Sequence, residues 1–516
     1  MPKKILKGDS LRDKLKSGIN TAVGAVAPTL GPVGMTSLIE YKGLDPIQCD
    51  DGVTILKNIE LKDSYENMAV QLLRKAAIRT SNEGGDGTAS TSVLTGALAN
   101  YALSEIGNDS SKIRSVVSRL HKGLNDALLI LSDLKQSVTT EQIEDIAKIS
   151  SLDPEVAKLI AEVINDVGVN GIVTVEKNSR IGYEKEVVKG ARFSSGLISP
   201  YFITNAEKEE CVLENPAIAI IDRRVSTNEQ ITSVMNSIAE NGVVDILFIA
   251  DDVDSLALAS LIINHQQGRF KVACVKNPYT ASRAKEFLFD IAALTGGTVV
   301  SEEAGMRLEN MDFSQCGKAQ KVVVNKDTCT IIGGQASEVL QERISMIEEK
   351  IESSTSEYEK SMLKDRLASL TGGIGVIKVW AYTDTEFNAK KYKFDNAINA
   401  TQAALQEGIV AGGGVALSYV ATRCKDPMFK YALNAPFIQM AINAGMYKIK
   451  RGKIVVDIAL LNDGVSGYDF RTKEYVNMFS AGIVDPYKVV RLALESAVGI
   501  TSSLITTETA IVNDDE

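Results

Sequence analysis

The sequence predicts a multidomain protein of the α/β plus α class, in which an α/β segment is inserted between mainly helical flanks. The chain has 516 residues, which is enough for about three domains. From residue 190 to about 373, short apolar runs typical of strands alternate with helical stretches, which is an α/β pattern. On both sides of that segment, apolar residues recur mainly at helical spacing.

The elements follow in chain order. Asp50-Asp51-Gly52 is predicted to form a tight acidic turn before Val53. In the flanks, helices are predicted over 10–27, 60–82, 88–106, 110–134, 140–166 (two), 393–407, 415–424 and 432–446, followed by a hairpin over 466–480 and a last helix after Asp485-Pro486. In the insertion, strands are predicted over 217–221, 246–249, 272–275 and 322–324, with helices over 228–240, 255–266 and 281–293.

Composition excludes several classes of function. The net charge of −10 argues against nucleic acid as the main partner, because phosphate backbones require a basic surface. The six cysteines are scattered without metal-binding spacing, which indicates reduced thiols. Two histidines far apart disfavour a histidine metal site or a Ser-His-Asp triad. Neither a signal peptide nor an apolar run of about 18 residues is apparent, so we expect a cytoplasmic protein without a membrane partner.

One glycine-rich stretch, from Gly84 to Thr91, points to phosphate. Its glycines allow a tight turn, and the apolar spacing after it predicts a helix. The first N–H groups of a helix attract phosphate, and Asp86 is the kind of oxygen ligand that Mg²⁺ prefers. Taken alone, the stretch is equally compatible with an ordinary glycine turn, so the interpretation depends on whether other stretches converge on the same ligand.

Seven stretches together resemble the GroEL-type (group I) chaperonins, and they occur in the order found in that family. They cover the chain almost from end to end. The stretches are 29–32 (TLGP), 51–53 (DGV), 85–88 (GDGT), 199–202 (SPYF), 294–299 (LTGGTV), 407–414 (EGIVAGGG) and 482–486 (GIVDP).

The resemblance implies a chaperonin fold with three domains. The equatorial ATP-binding domain would comprise 1–132 and 407–516, the intermediate hinge domain 133–188 and 375–406, and the apical substrate-binding domain 189–374. The expected cofactors are ATP and Mg²⁺, with K⁺ as a further candidate. The expected partners are unfolded or partly folded proteins and identical subunits in a seven-membered ring, single or double. The need for a GroES-type co-chaperonin stays open.

The resemblance also implies roles for individual residues. Asp86 would bind the metal, Asp51 would orient the attacking water, and Asn396 occupies a second water-activating position. The remaining nucleotide contacts would come from Thr29, Leu30, Gly31, Pro32, Asp50, Gly87, Thr88, Ala89, Ser90, Gly413, Asp469, Phe470, Arg471 and Asp485. The apolar rim that holds client proteins would contain Tyr201, Phe202, Met235, Leu258, Ile262 and Ile263.

Departures from the family pattern lead to a second hypothesis. The family has Lys at the position of Asp50, and Asp at that of Asn396. Asn cannot accept a proton, so we expect slow hydrolysis. An ATP-binding holdase or structural ring therefore remains an alternative to a folding machine. A charged pair between rings in the family corresponds to Ile438 and Tyr447, which leaves ring stacking open. The divergence fits either an unusual bacterium or a bacteriophage. A small-molecule enzyme that uses ATP is disfavoured, since no phosphoacceptor pocket is recognisable.

Overall fold

The structure, a computed structural model, divides the chain into two compact units. The first unit comprises Met1–Glu162 and Tyr382–Glu516, and the second comprises Val163–Ala381. The residues described are 3–40, 46–139, 142–151, 153–168, 171–178, 180–206, 208–279, 282–334, 338–354, 360, 363, 366–367, 370–446 and 463–513.

The helices are named in chain order. They are α1 (Gly8–Val26), α2 (Gly52–Lys57), α3 (Ser64–Gly84), α4 (Thr88–Ile106), α5 (Ile113–Asp133), α6 (Gln142–Ser151), α7 (Pro154–Val167), α8 (Asn228–Glu240), α9 (Ser255–Gln266), α10 (Ser282–Thr295), α11 (Glu338–Ser353), α12 (Asp384–Glu407), α13 (Val415–Arg423), α14 (Pro427–Leu433), α15 (Ala435–Asn443) and α16 (Tyr487–Thr506).

The strands are likewise named in chain order. They are β1 (Lys3–Lys7), β2 (Ser37–Ile39), β3 (Ile47–Cys49), β4 (Ile172–Asn178), β5 (Tyr183–Phe193), β6 (Cys211–Glu214), β7 (Ala217–Val225), β8 (Asp245–Val253), β9 (Lys271–Lys276), β10 (Val299–Val300), β11 (Gly317–Lys318), β12 (Lys321–Val324), β13 (Cys329–Ile332), β14 (Gly373–Trp380), β15 (Ile409–Ala411), β16 (Ser466–Asp469), β17 (Glu474–Asn477), β18 (Val484–Pro486) and β19 (Thr509–Asn513).

The first unit is a helical body that contains both ends of the chain. Strand β1 pairs antiparallel with β19, so that Lys3 lies opposite Asn513. The long helices α4 and α16 pack together, and most of their apolar residues are buried. Among the described residues, α16 alone has the length and composition to cross a membrane; its packing against α3, α4 and α5 makes it a core helix of this unit.

The second unit contains two sheets with helices packed against them. One sheet has the parallel order β10-β7-β8-β9, with β11 antiparallel to β7. The other has the mixed order β4-β14-β5-β13-β12-β6. Strand β8 is buried along most of its length, as expected for a parallel strand covered on both faces. This unit therefore has the α/β architecture predicted for 190–373.

The structure changes three local predictions. Gly52, predicted to belong to a tight turn, is the first residue of helix α2, which Asp51 caps by accepting a hydrogen bond from the Thr54 N–H. The helix predicted over 432–446 is instead α14 and α15, which meet at Asn434, because Pro436 cannot continue the α14 hydrogen-bond ladder. Helix α12 begins at Asp384, nine residues before the predicted start, where Thr383 caps it.

Candidate functional site

The glycine-rich turn before α4 has the backbone geometry of an anion site. Gly85 and Gly87 have φ of +81° and +95°, a region that side chains other than glycine rarely adopt. No side chain of the described residues caps α4, and the first ladder bond joins the Thr91 N–H to the Gly87 carbonyl at 2.8 Å. The N–H groups of the first turn, which include those of Thr88, Ala89 and Ser90, therefore remain available for phosphate oxygens.

Asp86 lies between the two glycines of this turn, Gly85 and Gly87. Its carboxylate is exposed to solvent, yet protein atoms crowd around it. This crowding raises the pKa of Asp86, and the charge of Asp51 raises it further. The Gly87 N–H donates to Oδ1 at 2.6 Å, and no Lys or Arg of the described part of the chain pairs with this carboxylate.

A single carboxylate, that of Asp86, is suited to Mg²⁺, whereas a metal held by protein ligands alone would need several such side chains. The described residues contain no group of three or more His, Cys, Asp or Glu side chains that could hold a metal ion. Mg²⁺ is commonly bound by one or two carboxylates, with phosphate oxygens and waters as its other ligands. Asp86, beside a helix N-terminus suited to phosphate, provides that arrangement.

Asp51 lies next to the same helix N-terminus. Its Oδ2 accepts hydrogen bonds from the Thr54 N–H at 2.7 Å and from the Thr54 hydroxyl at 2.6 Å, which fixes the carboxylate as the cap of α2. A Cβ placed on Gly52 would lie 2.9 Å from Cγ2 of Thr88, so the Asp51–Gly52 turn is in close contact with the start of α4. The neighbouring Asp50 is exposed.

Asp485 brings a third carboxylate to this region. It lies in β18, opposite Val410 of β15. Crowding by protein raises the pKa of Asp485 to about 7, and the charge of Asp86 contributes to this shift. The glycine loop after β15 contacts the segment that precedes Asp485: a Cβ on Gly412 would lie 3.1 Å from the Ile483 carbonyl group. The next residue, Gly413, has a φ of +62°.

The Thr29–Pro32 loop, which also belongs to the first unit, packs against helix α15. Gly31 has a φ of +93°, and a Cβ there would lie 2.6 Å from Cγ of Met440. The same methionine lies against Gly414, since a Cβ at that position would be 3.1 Å from its Cε. The Thr29 hydroxyl donates to the Val26 carbonyl at 2.8 Å. Of this loop, Pro32 is the exposed residue, whereas Thr29, Leu30 and Gly31 are half-buried.

Asn396 is carried on α12, which passes beside the Asp86 turn. A Cβ on Gly85 would lie 2.4 Å from the Cβ of Asn399 and from the Ala400 nitrogen. Asn396 precedes Asn399 by about one helical turn and is half-buried. The structure therefore brings four predicted stretches together in the first unit: the Asp86 turn, Asp51, Asp485 and the middle of α12.

The hairpin residues predicted beside the base differ in exposure. Phe470 is only 3% exposed and packs against Phe437 and Tyr468, so its side chain belongs to the core. Asp469 accepts a hydrogen bond from the Arg471 N–H at 2.8 Å, which closes the hairpin turn. The side chain of Arg471 is exposed. Any contact of Phe470 with a base would therefore involve its backbone.

The six residues predicted to form the client rim lie in the second unit, and two of them have exposed side chains. Tyr201 and Ile263 are 63% and 52% exposed. Leu258 and Ile262 are half-buried against the core. Phe202 and Met235 lie within that core and offer no surface to a client in this structure.

One exposed apolar residue on α9 was not among the predicted rim residues. Leu256 is 71% exposed on α9. It precedes Ile263 by seven residues, which places both side chains on the same face of the helix. That spacing was available in the sequence. A short 3₁₀ helix that contains Tyr201 contacts α9, and the three exposed residues Tyr201, Leu256 and Ile263 are called here the α9 rim.

Comparisons with known proteins agree with this architecture. A family model described as the TCP-1/cpn60 chaperonin family matches residues 23–515. A solved structure of the chaperonin gp146 from the bacteriophage EL 2 (Pseudomonas aeruginosa), in the presence of ATP-BeFx, superposes with a TM-score of 0.71 at 20% sequence identity, covering 99% of both chains. A second crystal form of gp146 gives a TM-score of 0.64 at 19% identity, again over 99% of both chains.

Proposed function

This chain belongs to the TCP-1/cpn60 chaperonin family, and on that basis we propose that it is an ATP-dependent molecular chaperone. It captures non-native proteins on the α9 rim and folds them in a chamber formed by a ring of identical subunits. The observation that carries the ATP dependence is the convergence of Asp86, Asp51 and Asp485 around the uncapped start of α4. The crystals of gp146 were obtained in the presence of an ATP analogue, which supports nucleotide use in this fold.

Different residues of the site have different roles in ATP hydrolysis. The free N–H groups at the start of α4, with the Thr88 and Ser90 hydroxyls, bind phosphate oxygens, while the Thr29–Pro32 loop closes over them. Asp86 holds Mg²⁺, which neutralises charge on the phosphates when it is bound. Asp51 orients the attacking water through Oδ1, since Oδ2 is occupied by Thr54. Gly413 and Asp485 would contact the nucleoside, and the Asp469–Arg471 turn would contact the base.

Hydrolysis is slow in this proposal because the second water-activating position is Asn396. Its amide can hold a water by hydrogen bonding but cannot accept the proton. Asp395 is adjacent in sequence, yet it lies about 100° around the helix from Asn396 and cannot simply substitute for it.

The assembly we propose has three domains per subunit and seven subunits per ring. Equatorial parts 1–132 and 407–516 bind nucleotide, 133–188 and 375–406 act as the hinge, and 189–374 binds clients. A GroES-type lid is a candidate partner, K⁺ a candidate second cation, and the cytoplasm the expected location. No charged pair is available at Ile438 and Tyr447 to join two rings; Tyr447 lies outside the described residues.

The alternative is a holdase or structural ring that binds ATP without useful turnover, and Asn396 is the observation in its favour. A steady-state ATPase assay with and without an unfolded protein separates the two functions. The folding chaperone predicts slow, Mg²⁺-dependent turnover, with release and refolding of the client on addition of ATP. The holdase predicts capture and nucleotide binding without refolding.

A further inference from the structure

Asn443, the last residue of α15, makes a pair of hydrogen bonds to the Thr29–Pro32 loop and its approach. Its Nδ2 donates to the Ala27 carbonyl at 2.9 Å and to the Leu30 carbonyl at 2.8 Å. The two acceptors are the first residue of the short 3₁₀ turn that leads from α1 into the loop and the residue that follows this turn. One amide group therefore fixes the distance between the start of the turn and the residue before Gly31.

The orientation of this amide is set by a second residue of α15. Gln439 donates from Nε2 to Oδ1 of Asn443 at 2.9 Å. With its oxygen occupied by a donor, the Asn443 amide must present its two N–H groups to the loop carbonyls. An Asp at this position would have the same size and would still accept from Gln439, but it could donate to neither carbonyl.

The same helix supports the loop by packing. Met440 lies one turn before Asn443, and its side chain contacts Gly31 on one side and Gly414 on the other. It is 5% exposed, so these contacts are buried. Helix α15 is thus the common support of the two glycine loops that the proposed function assigns to the nucleotide.

We infer that Asn443 is a positioning residue for nucleotide binding, acting through the conformation of the Thr29–Pro32 loop. This inference rests on the proposed function, because it assumes that this loop meets the phosphates. Asn443 itself touches the loop backbone and needs no contact with the nucleotide. Its loss removes two hydrogen bonds that preorganise the loop, so it weakens affinity for nucleotide more than it changes the rate of turnover.

The test compares Asn443→Asp and Asn443→Ala with Asn434→Ala in the full-length protein. Asn434 is a matched control because its Nδ2 donates to a backbone carbonyl, that of Lys430, at the preceding helix junction and away from the loop. We expect both Asn443 variants to raise the KM for ATP and the Kd for Mg-ADP by about tenfold, with kcat nearly unchanged. We expect Asn434→Ala to leave both constants unchanged.

Hydrogen exchange of residues 27–34 provides a readout that does not depend on nucleotide. It should accelerate in both Asn443 variants and not in Asn434→Ala. Unchanged exchange and affinity in the Asn443 variants would overturn the inference while leaving the proposed function intact. Equal losses in Asn434→Ala would also overturn it, because the effect would then be general destabilisation. A wild-type protein that binds no nucleotide would overturn the proposed function, and the exchange comparison would still decide whether Asn443 orders the loop.

Discussion

Gly85 lies directly against Asn399: a Cβ on the glycine would be 2.4 Å from the Cβ of the asparagine. This contact fixes α12 beside the Asp86 turn and brings Asn396, one turn earlier, to the side of the candidate nucleotide site. We propose that the residue at position 396 influences a water that attacks a phosphate at the start of α4.

We predict that Asn396→Asp speeds ATP hydrolysis. A general base typically contributes about 10²–10⁴-fold, so even partial recovery should raise kcat severalfold at constant protein and Mg²⁺. The control is Asn388→Asp, which introduces the same charge at an exposed position more than two turns away on the same helix. An unchanged kcat in Asn396→Asp would mean that Asp51 suffices or that position 396 does not face the water.

The α9 rim should account for client capture. Replacing Tyr201 by Glu, or Leu256 or Ile263 by Ser, removes exposed apolar surface from the second unit. Burial of one such side chain contributes about 1.5–3 kcal/mol, so each variant should bind an unfolded protein about tenfold more weakly or worse. ATP binding should be unchanged, because the nucleotide residues belong to the first unit.

Leu129→Ser is the matched control for the rim variants, because Leu129 is 67% exposed on α5 in the first unit. Capture by this control should equal that of the wild type. Loss of capture in the control as well, or unfolding of the rim variants by circular dichroism, would contradict the assignment of these residues as a client surface.

The stability of the second unit should fall in acid because of His265. Its Nδ1 accepts a hydrogen bond from the Val272 N–H at 3.0 Å, and its ring packs edge-on against Phe202. Burial lowers the pKa of His265 below its ordinary value of about 6.5, and the nearby charge of Lys271 adds to this effect. The folded state thus binds the proton less readily than the unfolded state. Neutral His265 therefore contributes to the stability of the second unit above about pH 6.5, and this contribution is lost as pH falls below that value.

Urea unfolding followed by the fluorescence of Trp380 measures this effect, since the chain has one tryptophan and it lies in β14 of the same unit. His265→Gln retains an acceptor but cannot titrate, so its midpoint should vary less between pH 7 and pH 5 than that of the wild type. The same pH dependence in both proteins would show that other groups cause the acid loss.

Ring stacking should be insensitive to salt. Ile438 is half-buried on α15. The resemblance implies a charged pair between rings at positions 438 and 447, and this chain has Ile and Tyr there instead. Charged contacts weaken as salt rises, whereas apolar contacts do not. We predict single rings, or an equilibrium between single and double rings that depends on nucleotide rather than on salt, when native mass is measured over both variables. A double ring that persists under all conditions would contradict this, and splitting by salt would reveal a different charged contact.

Much of the fold could be predicted from local pattern. Helices α8 and α9 have the predicted limits, and Thr227 caps α8 with a capping box. The pairing of β1 with β19 could not be predicted in this way, because strands at opposite ends of the chain carry no local signal for each other. Residues 53–55 are β-branched at each position, yet the Asp51 cap and burial of Ile55 favour a helix.

The candidate site was less predictable than the fold. Glycine motifs indicated Asp86 and Gly413, but only the folded chain shows that Gly52 contacts Thr88. The resemblance implies that both Met235 and Ile263 belong to the client rim, yet only Ile263 is exposed, because the packing of each side chain depends on its neighbours in the folded chain. Asn443 has no motif around it, since its role depends on two backbone carbonyls more than 400 residues earlier in the chain.

The most direct test of the account is the effect of Asp86→Ala on Mg²⁺-dependent ATP binding, measured by calorimetry and by steady-state hydrolysis. We predict that the wild type binds Mg-ATP and hydrolyses it slowly, and that the variant loses Mg²⁺-dependent binding and turnover, because the metal loses its carboxylate in the turn. Asp109→Ala, at an exposed turn of the same unit, should behave as wild type. Normal binding and hydrolysis by Asp86→Ala would contradict the central claim.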